Sequence, residues 1–575
     1  MHGRSLTRLA RIAMAMLLAG GVLPFAAGTA TAAGTVIHVR GNATGANNGA
    51  SWADAYNSLQ TALGAAVSGD QIWVAKGTYP TTTGSDRTAS FTLRNGVAMY
   101  GGFAGTETSL SKRNPASNLT ILTGDIGAQG DSSDNAMHVV QAGVVTRSAI
   151  LDGFKILGGM NYTDTTPGAG IHVSGGSPTL RNLVVSGNLG YAGGGIGVEN
   201  GGSPLLDRVV ITSNSAGGGL GVGGGMQSTA SSPVLRNVTF TANFGEFGGG
   251  IEVYLGSASL TNVTFTGNTG PPDGSGNAVY SDGAWMRIAD SILWGETSSE
   301  VTRASGTLSI ANSIVAGGCP AGASCTAVHN ADPKLGKLKS NGGFVPTVAL
   351  GTGSAAIDAG SNATCAATDA RGVARPQGPT CDMGAFEVRV MSFRSQAAYD
   401  GWVLESSETS SKGGTKNAGS TTFRVGDDAS NRQYRGVVSF STATLPNAAT
   451  VVRAALSVKR SATTGTSPFT THGPLVTDIR ATFFGSSAAL STGDFQAAAS
   501  LLSAGTFAAG PSTGWYRAVL KTTGLASVSR TSTTQFRLRF TLDDNNAHGA
   551  DYTAFSSGNA TTPADRPLLL VYYLP

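Results

Sequence analysis

Fixed charge is scarce in this 575-residue chain: only 13% of it is Asp, Glu, Lys or Arg, and the formal balance is +4. Three of those positives, Arg4, Arg8 and Arg11, lie in the first few residues, which leaves +1 for the remainder. A balance that small gives no electrostatic footprint for nucleic acid. Cysteine is almost absent, with Cys319, Cys325, Cys365 and Cys381 the whole set. Their spacings do not suit zinc, and only His329 lies nearby. In an oxidising compartment they favour two local disulfides, Cys319–Cys325 and Cys365–Cys381, although sequence leaves the other two connectivities open. After residue 33 no apolar run is long enough to span a bilayer. Glycine, at 82 residues, is plentiful, as are Ser, Thr and Ala, which suits an extracellular all-β protein rich in turns.

Between residues 177 and 268 nearly the same twelve residues are written four times: SPTLRNLVVSGN at 177–188, SPLLDRVVITSN at 203–214, SPVLRNVTFTAN at 232–243 and SASLTNVTFTGN at 257–268. A unit of this period cannot bury its own apolar side chains, so it must stack on its neighbours. Alternation with period two makes each unit a strand. In register, Leu180, Leu206, Leu235 and Leu260 form one inward column. A second is Leu183, Val209, Val238 and Val263, and a third is Val185, Ile211, Phe240 and Phe265. Val184, Val210, Thr239 and Thr264 point outward between the last two. Asn188, Asn214, Asn243 and Asn268 end the units, where stacked amides can donate to one coil and accept from the next. Gly-Gly-Gly at 193–195, 223–225 and 248–250 reads as a turn into a second strand, and not as a phosphate cradle, because no helix follows. AILDGFKILGG at 149–159 and the shorter IADSILWGE and IANSIVAGG extend the pattern both ways. The expectation is an all-β chain whose first part is a right-handed parallel β-helix.

Residues 1–33 read as an export signal: a basic start, an apolar core and the Ala30-Thr31-Ala32 cleavage site. The mature chain is therefore expected to be secreted, extracellular or surface-associated, and monomeric. An open β-helix needs its ends covered. SWADAYNSLQTALGAAV at 51–67 places Trp52, Tyr56, Leu59 and Leu63 on one face of an amphipathic helix, the natural N-terminal cap. The stretch from TVIHVRGNATGANNGASWADAYNSLQ onward, with NGVAMYGGFAGTETSLSKRNPASNLTILTGDIG at 95–127, resembles the opening of a large group of bacterial secreted β-helix proteins. DPKLGKLKSNGGFVPTVALGTGSAAIDAG at 332–360 and DARGVARPQGPTCDMGAFE at 369–387 resemble that group's choice-of-anchor ending. The resemblance covers 34–388 and implies a surface protein without demonstrated catalytic activity.

From about residue 390 the glycine triplets vanish and period-two strands with turns take over, as in TTFRVGDD, YRGVVSFST and TQFRLRFTLDD. That pattern predicts an antiparallel, jelly-roll-like β-sandwich over 390–575. YDGWVLESSE, GSTTFRVGDD, YRGVVSFSTATLPNAATVVRAALSV and RPLLLVYY resemble a disaggregatase-related sandwich module, several members of which bind carbohydrate. That resemblance implies an adhesion or carbohydrate-binding module.

Candidate chemistry is sparse. Aligning the strands after the glycine triplets puts His172, Gly197, Gln227 and Glu252 in one outward line, a shallow glycan-binding strip or an acid/base pair. Asp207 shares the column of Arg181 and Arg236, where it is expected to pair between coils. In the sandwich, Asp427, Asp428, Asp543 and Asp544 end strands and suggest a structural Ca²⁺. Trp402, Trp515, Tyr516, Tyr552 and Phe555 offer a sugar-stacking platform. The reading favoured is a non-catalytic scaffold or adhesin that binds polysaccharide or cell-wall glycan. The alternative is a lyase or hydrolase of uronate-rich polymers targeted by the sandwich.

Overall fold

A computed structural model describes residues 34–162, 165–217, 221–271, 277–296, 299–508 and 513–575. The export-signal segment 1–33 lies outside the described residues. From Val36–Val39 to Ser324–His329 the strands pair in parallel, coil upon coil. Each strand pairs with a residue one coil away because successive short strands return to the same side of the coil, as a parallel β-helix requires. Leu180 faces Leu206, Leu206 faces Leu235 and Leu235 faces Leu260 in adjoining strands. All four are fully buried, within one continuous apolar core reaching from Val39 to Val315. Phe240 and Phe265 stack 4.7 Å apart at an interplanar angle of 5°.

The strands predicted from the repeat are bent. Asn182, Arg208, Asn237, Asn262, Asp290 and Asn312 occupy equivalent places in successive coils, with φ between 48° and 59°. One left-handed residue per coil turns the strand mid-length, so the leucine column lies before the bend and the valine and phenylalanine columns after it. Asn and Asp fit there because a short polar side chain tolerates this region. The glycine triplets answer a second steric demand. A Cβ on Gly195 would lie 2.5 Å from the Gly225 oxygen, and one on Gly225 2.6 Å from the Gly250 oxygen. Glycine is required there by the closeness of neighbouring coils.

The N-terminal helix is shorter than its pattern. Only Leu59–Ala65 is helical, capped by Ser58. Leu59, Ala62 and Leu63 enter the core, while Trp52 lies outside the helix and packs near His38 and Phe103. Both disulfides expected are formed, Cys319–Cys325 and Cys365–Cys381.

Beyond His329 the chain turns back. Leu335–Lys339 pairs antiparallel with Thr347–Leu350. Residues 358–388 then lie along the outside of the helix. The Ser361 amide and Thr364 hydroxyl donate to Asp290, and the Ala366 amide to Asn262 Oδ1. The Ala385 amide donates to Thr264 Oγ1 at 2.9 Å. Thr264 therefore points outward as expected, yet is covered by this returning segment.

From Arg389–Arg394 to Leu568–Leu574 the strands pair antiparallel. Phe423, Val438, Phe440, Leu456, Phe536, Phe555 and Leu569 form a second buried core. No helix among the described residues is long and apolar enough to cross a membrane.

Candidate functional site

The parallel ladder places the outward line of the second sheet in strict register. His172 pairs with Gly197, Gly197 with Gln227, Gln227 with Glu252, and Glu252 with Tyr280. Period two puts the next outward line two residues on, where Ser174 meets Glu199 and Tyr254 meets Asp282. His172 Nε2 and Glu199 Oε1 are 3.1 Å apart, and the His172 ring lies 4.8 Å from that of His138. His172 is thus tied to two groups already in place.

Glu252 is the unusual member. It is only 6% exposed although it sits on the outer face, and its Oε2 has no hydrogen-bond partner. Burial lifts its carboxyl to about 7, with a hydrogen bond from Gln227 opposing and the nearby Asp282 charge adding to the rise. Phe247 packs edge-on against Tyr280 at 5.1 Å, part of the apolar wall on this side. Asp282 accepts a 2.7 Å hydrogen bond from Ser305.

Two exposed aromatic residues, one on the Glu252 strand and one in the adjoining sheet, were not singled out from sequence. Tyr254 is 43% exposed and Trp285 is 52% exposed. Trp285 opens the strand that follows, Ala284–Ala289, and pairs laterally with Ser257 and Thr307. Both mark the corner between the two sheets. The signal that finds them is the alternation within IEVYLGSASL and AWMRIA once the inward columns are fixed.

The charged column of the first sheet differs from expectation in one respect. Arg181, Asp207 and Arg236 do align. Arg181 pairs with Asp152 at 2.7 Å, however, and Asp207 with its own neighbour Arg208 at 3.2 Å. The left-handed backbone at Arg208 turns its side chain beside Asp207 and accounts for the change of partner.

In the C-terminal region the four acidic residues do not come together. Asp427 is buried, accepts from the Asp551 amide and faces His472 at 3.4 Å. Asp428 is held by Arg432, Asp544 caps the Asn546 amide, and Asp543 is exposed. Among the described residues no group of three His, Cys, Asp or Glu side chains could hold a metal ion. Local turn and ion-pair partners engage Asp427, Asp428 and Asp544. Tyr516 is also misplaced as a platform: it is 3% exposed and stacks on Phe469 at 4.7 Å in the core. Trp515 is half-buried at the start of the same strand, Trp515–Val519.

The family model described as a right handed beta helix region matches residues 130–291. No curated protein matches the chain. Among solved structures, the crystal structure of pectate lyase Pel9A is similar over 61% of this chain and 96% of its own length, at 14% identity and a TM-score of 0.36. A likeness that loose says nothing of chemistry.

Proposed function

We propose that this chain is an exported, two-domain scaffold that binds polysaccharide or cell-wall glycan, with a β-helix over 34–388 and a sandwich over 390–575. The observation that carries the reading is the outward column of the second sheet. Gln227 and Glu252 lie one coil apart and His172 lies two coils from Gln227 with Gly197 between, while exposed Tyr254 follows two residues after Glu252 and exposed Trp285 lies in the adjoining sheet. Polar groups at one and two coil spacings of about 4.8 Å each, with exposed rings on the same body, suit many weak contacts along a polymer. The export segment and the two disulfides support an extracellular setting.

Affinity electrophoresis through gels containing plant or bacterial wall polysaccharides tests it. The full chain should be retarded, and the combined variant His172→Ala, Glu252→Gln, Trp285→Ala should lose at least about tenfold in affinity. Equal retardation of both proteins, or none in any gel, would sink the proposal.

One observation favours a second, catalytic reading. Glu252 sits at about 7 beside Asp282, a proton donor next to a second carboxyl on the adjoining strand. Release of reducing ends or of an unsaturated ultraviolet-absorbing product, abolished by Glu252→Gln, would move the assignment there.

A further inference from the structure

The C-terminal region has its own cluster, distant in sequence from the helix face. Four antiparallel strands supply it: Gly401–Glu405, Thr422–Asp427, Gln433–Ser441 and Tyr552–Ser556. Gly426 lies between Tyr434 and Tyr552 in the ladder and puts no side chain between their rings. Trp402 meets Tyr434 edge-on at 5.0 Å, and Tyr434 meets Tyr552 at 5.6 Å. Arg424 lies over all three, with its guanidinium carbon 4.7 Å from the Tyr552 ring centre, 5.5 Å from Tyr434 and 5.6 Å from Trp402. Its Nη1 donates to Tyr434 Oη at 3.2 Å.

Arg424 is one of several arginines of this region without an ion-pair partner among the described residues. Arg432 is matched by Asp428, Arg537 and Arg539 by Asp478, and Arg453 and Arg517 by Asp358. Among the described residues Arg424 has no ion-pair partner, and like Trp402 and Tyr552 it is half-buried rather than sealed in the core. A cation stacked on rings and held by a hydrogen bond is already oriented, so little freedom is lost when it meets an anion. Its fork matches a carboxylate. The half-buried Trp402 and Tyr552 rings add apolar surface of the kind that packs against the C–H side of a sugar, while Tyr434, 6% exposed, holds Arg424 through its hydroxyl.

We propose that Trp402, Arg424, Tyr434 and Tyr552 form a binding site for acidic sugar units, uronates of a polysaccharide. This rests on the glycan-binding reading above and gives it a second site and a substrate class. Calorimetric titration of the full chain tests it, with oligogalacturonate, a neutral cello-oligosaccharide of equal length and a single-stranded oligonucleotide as probes. Oligogalacturonate should bind with an affinity that falls with salt, and at least about tenfold more tightly than the neutral chain. Arg424→Gln and Trp402→Phe should each weaken it about tenfold or more, with melting temperature checked alongside.

Wild-type affinity in a folded Arg424→Gln protein, or equal binding of the neutral chain, overturns the proposal. Equal binding of the oligonucleotide also overturns it, by showing a general polyanion surface. If Arg424→Gln unfolds, unchanged affinity in Trp402→Phe is decisive against it. Glycan binding lost only in the helix-face variants would leave the scaffold function standing and remove this site.

Discussion

Glu252, Glu300 and Asp400 are each lifted by burial to about 7, and Glu296 to about 9. Their ordinary values are 4.5 for the glutamates and 3.8 for the aspartate. In the pH range between those limits the folded chain binds more protons than the unfolded one, so stability falls as pH rises. Three of these groups act between about pH 4 and 7, and Glu296 continues to act up to about 9. Melting temperature should therefore decline from pH 5 to pH 9. Glu296→Gln, which keeps an acceptor for Asn268 Nδ2, should flatten the stretch from pH 7 to pH 9. An unchanged slope there in scanning calorimetry would show that Glu296 is already ionised in the native protein. At this scale the sequence was partly legible. The His172–Gln227–Glu252 line follows from repeat alignment alone. The burial of Glu252 does not, because it depends on the packing of neighbouring coils, where Tyr280 lies opposite it.

The repeated asparagines act as one element. Asn188 Nδ2 donates to Asn214 Oδ1 at 2.9 Å, Asn214 to Asn243 at 3.0 Å and Asn243 to Asn268 at 2.8 Å. Each amide oxygen also accepts from the backbone of the preceding coil, and Asn268 passes the chain of bonds to Glu296. Asn243→Ala takes the Asn243 Oδ1 acceptor from the buried Asn214 backbone N–H, at about 1–3 kcal/mol for that unpaired group, and takes one of two partners each from Asn214 Nδ2, which keeps the Val185 carbonyl, and Asn268 Oδ1, which keeps the Asn243 N–H. Urea unfolding should show that loss, and hydrogen exchange should quicken in the adjoining coils. A change under about 0.5 kcal/mol would mean that water or relaxation replaces the bonds. Arg208 gives the opposite expectation. It alone in the bend column is a long side chain, at φ 59° where four other coils use Asn. Arg208→Asn should stabilise by about 0.5–1 kcal/mol, since a left-handed residue without a local hydrogen bond is strained. A loss of stability in the same urea experiment would show that its contact with Asp207 matters more. The inward columns were readable because stacking repeats them every coil. The bend was not, since Asn182, Arg208 and Asp290 share a backbone angle but no residue type.

The molecule is held as a whole by segments that return from far along the chain. Within 369–387, the Asp369 carboxylate meets Arg371 at 2.7 Å, and Arg375 meets Glu387 at 3.1 Å, all with buried side chains. Asp382 accepts from the Asp358 and Val388 amides. The motif DARGVARPQGPTCDMGAFE could be recognised as an ending, but its role as a buried ion network needed the fold to bring those residues together. The same segment joins the C-terminal region. Ile292, Ile314, Leu350, Met383 and Phe386 share a buried cluster with Val452 and Tyr572. At its edge Tyr572 donates to Asp358 Oδ2 at 2.6 Å and Arg453 to the same oxygen at 3.1 Å. An apolar contact reinforced by buried hydrogen bonds should make helix and C-terminal region unfold together. Tyr572→Phe with Arg453→Met removes both polar ties while keeping the apolar bulk. It leaves the Asp358 side chain with one oxygen stripped of these two donors, at about 1–3 kcal/mol. Calorimetry should then show the wild-type single transition split into two, with the C-terminal region melting first. Two separated transitions already present in the wild type would show that this cluster does not couple the halves.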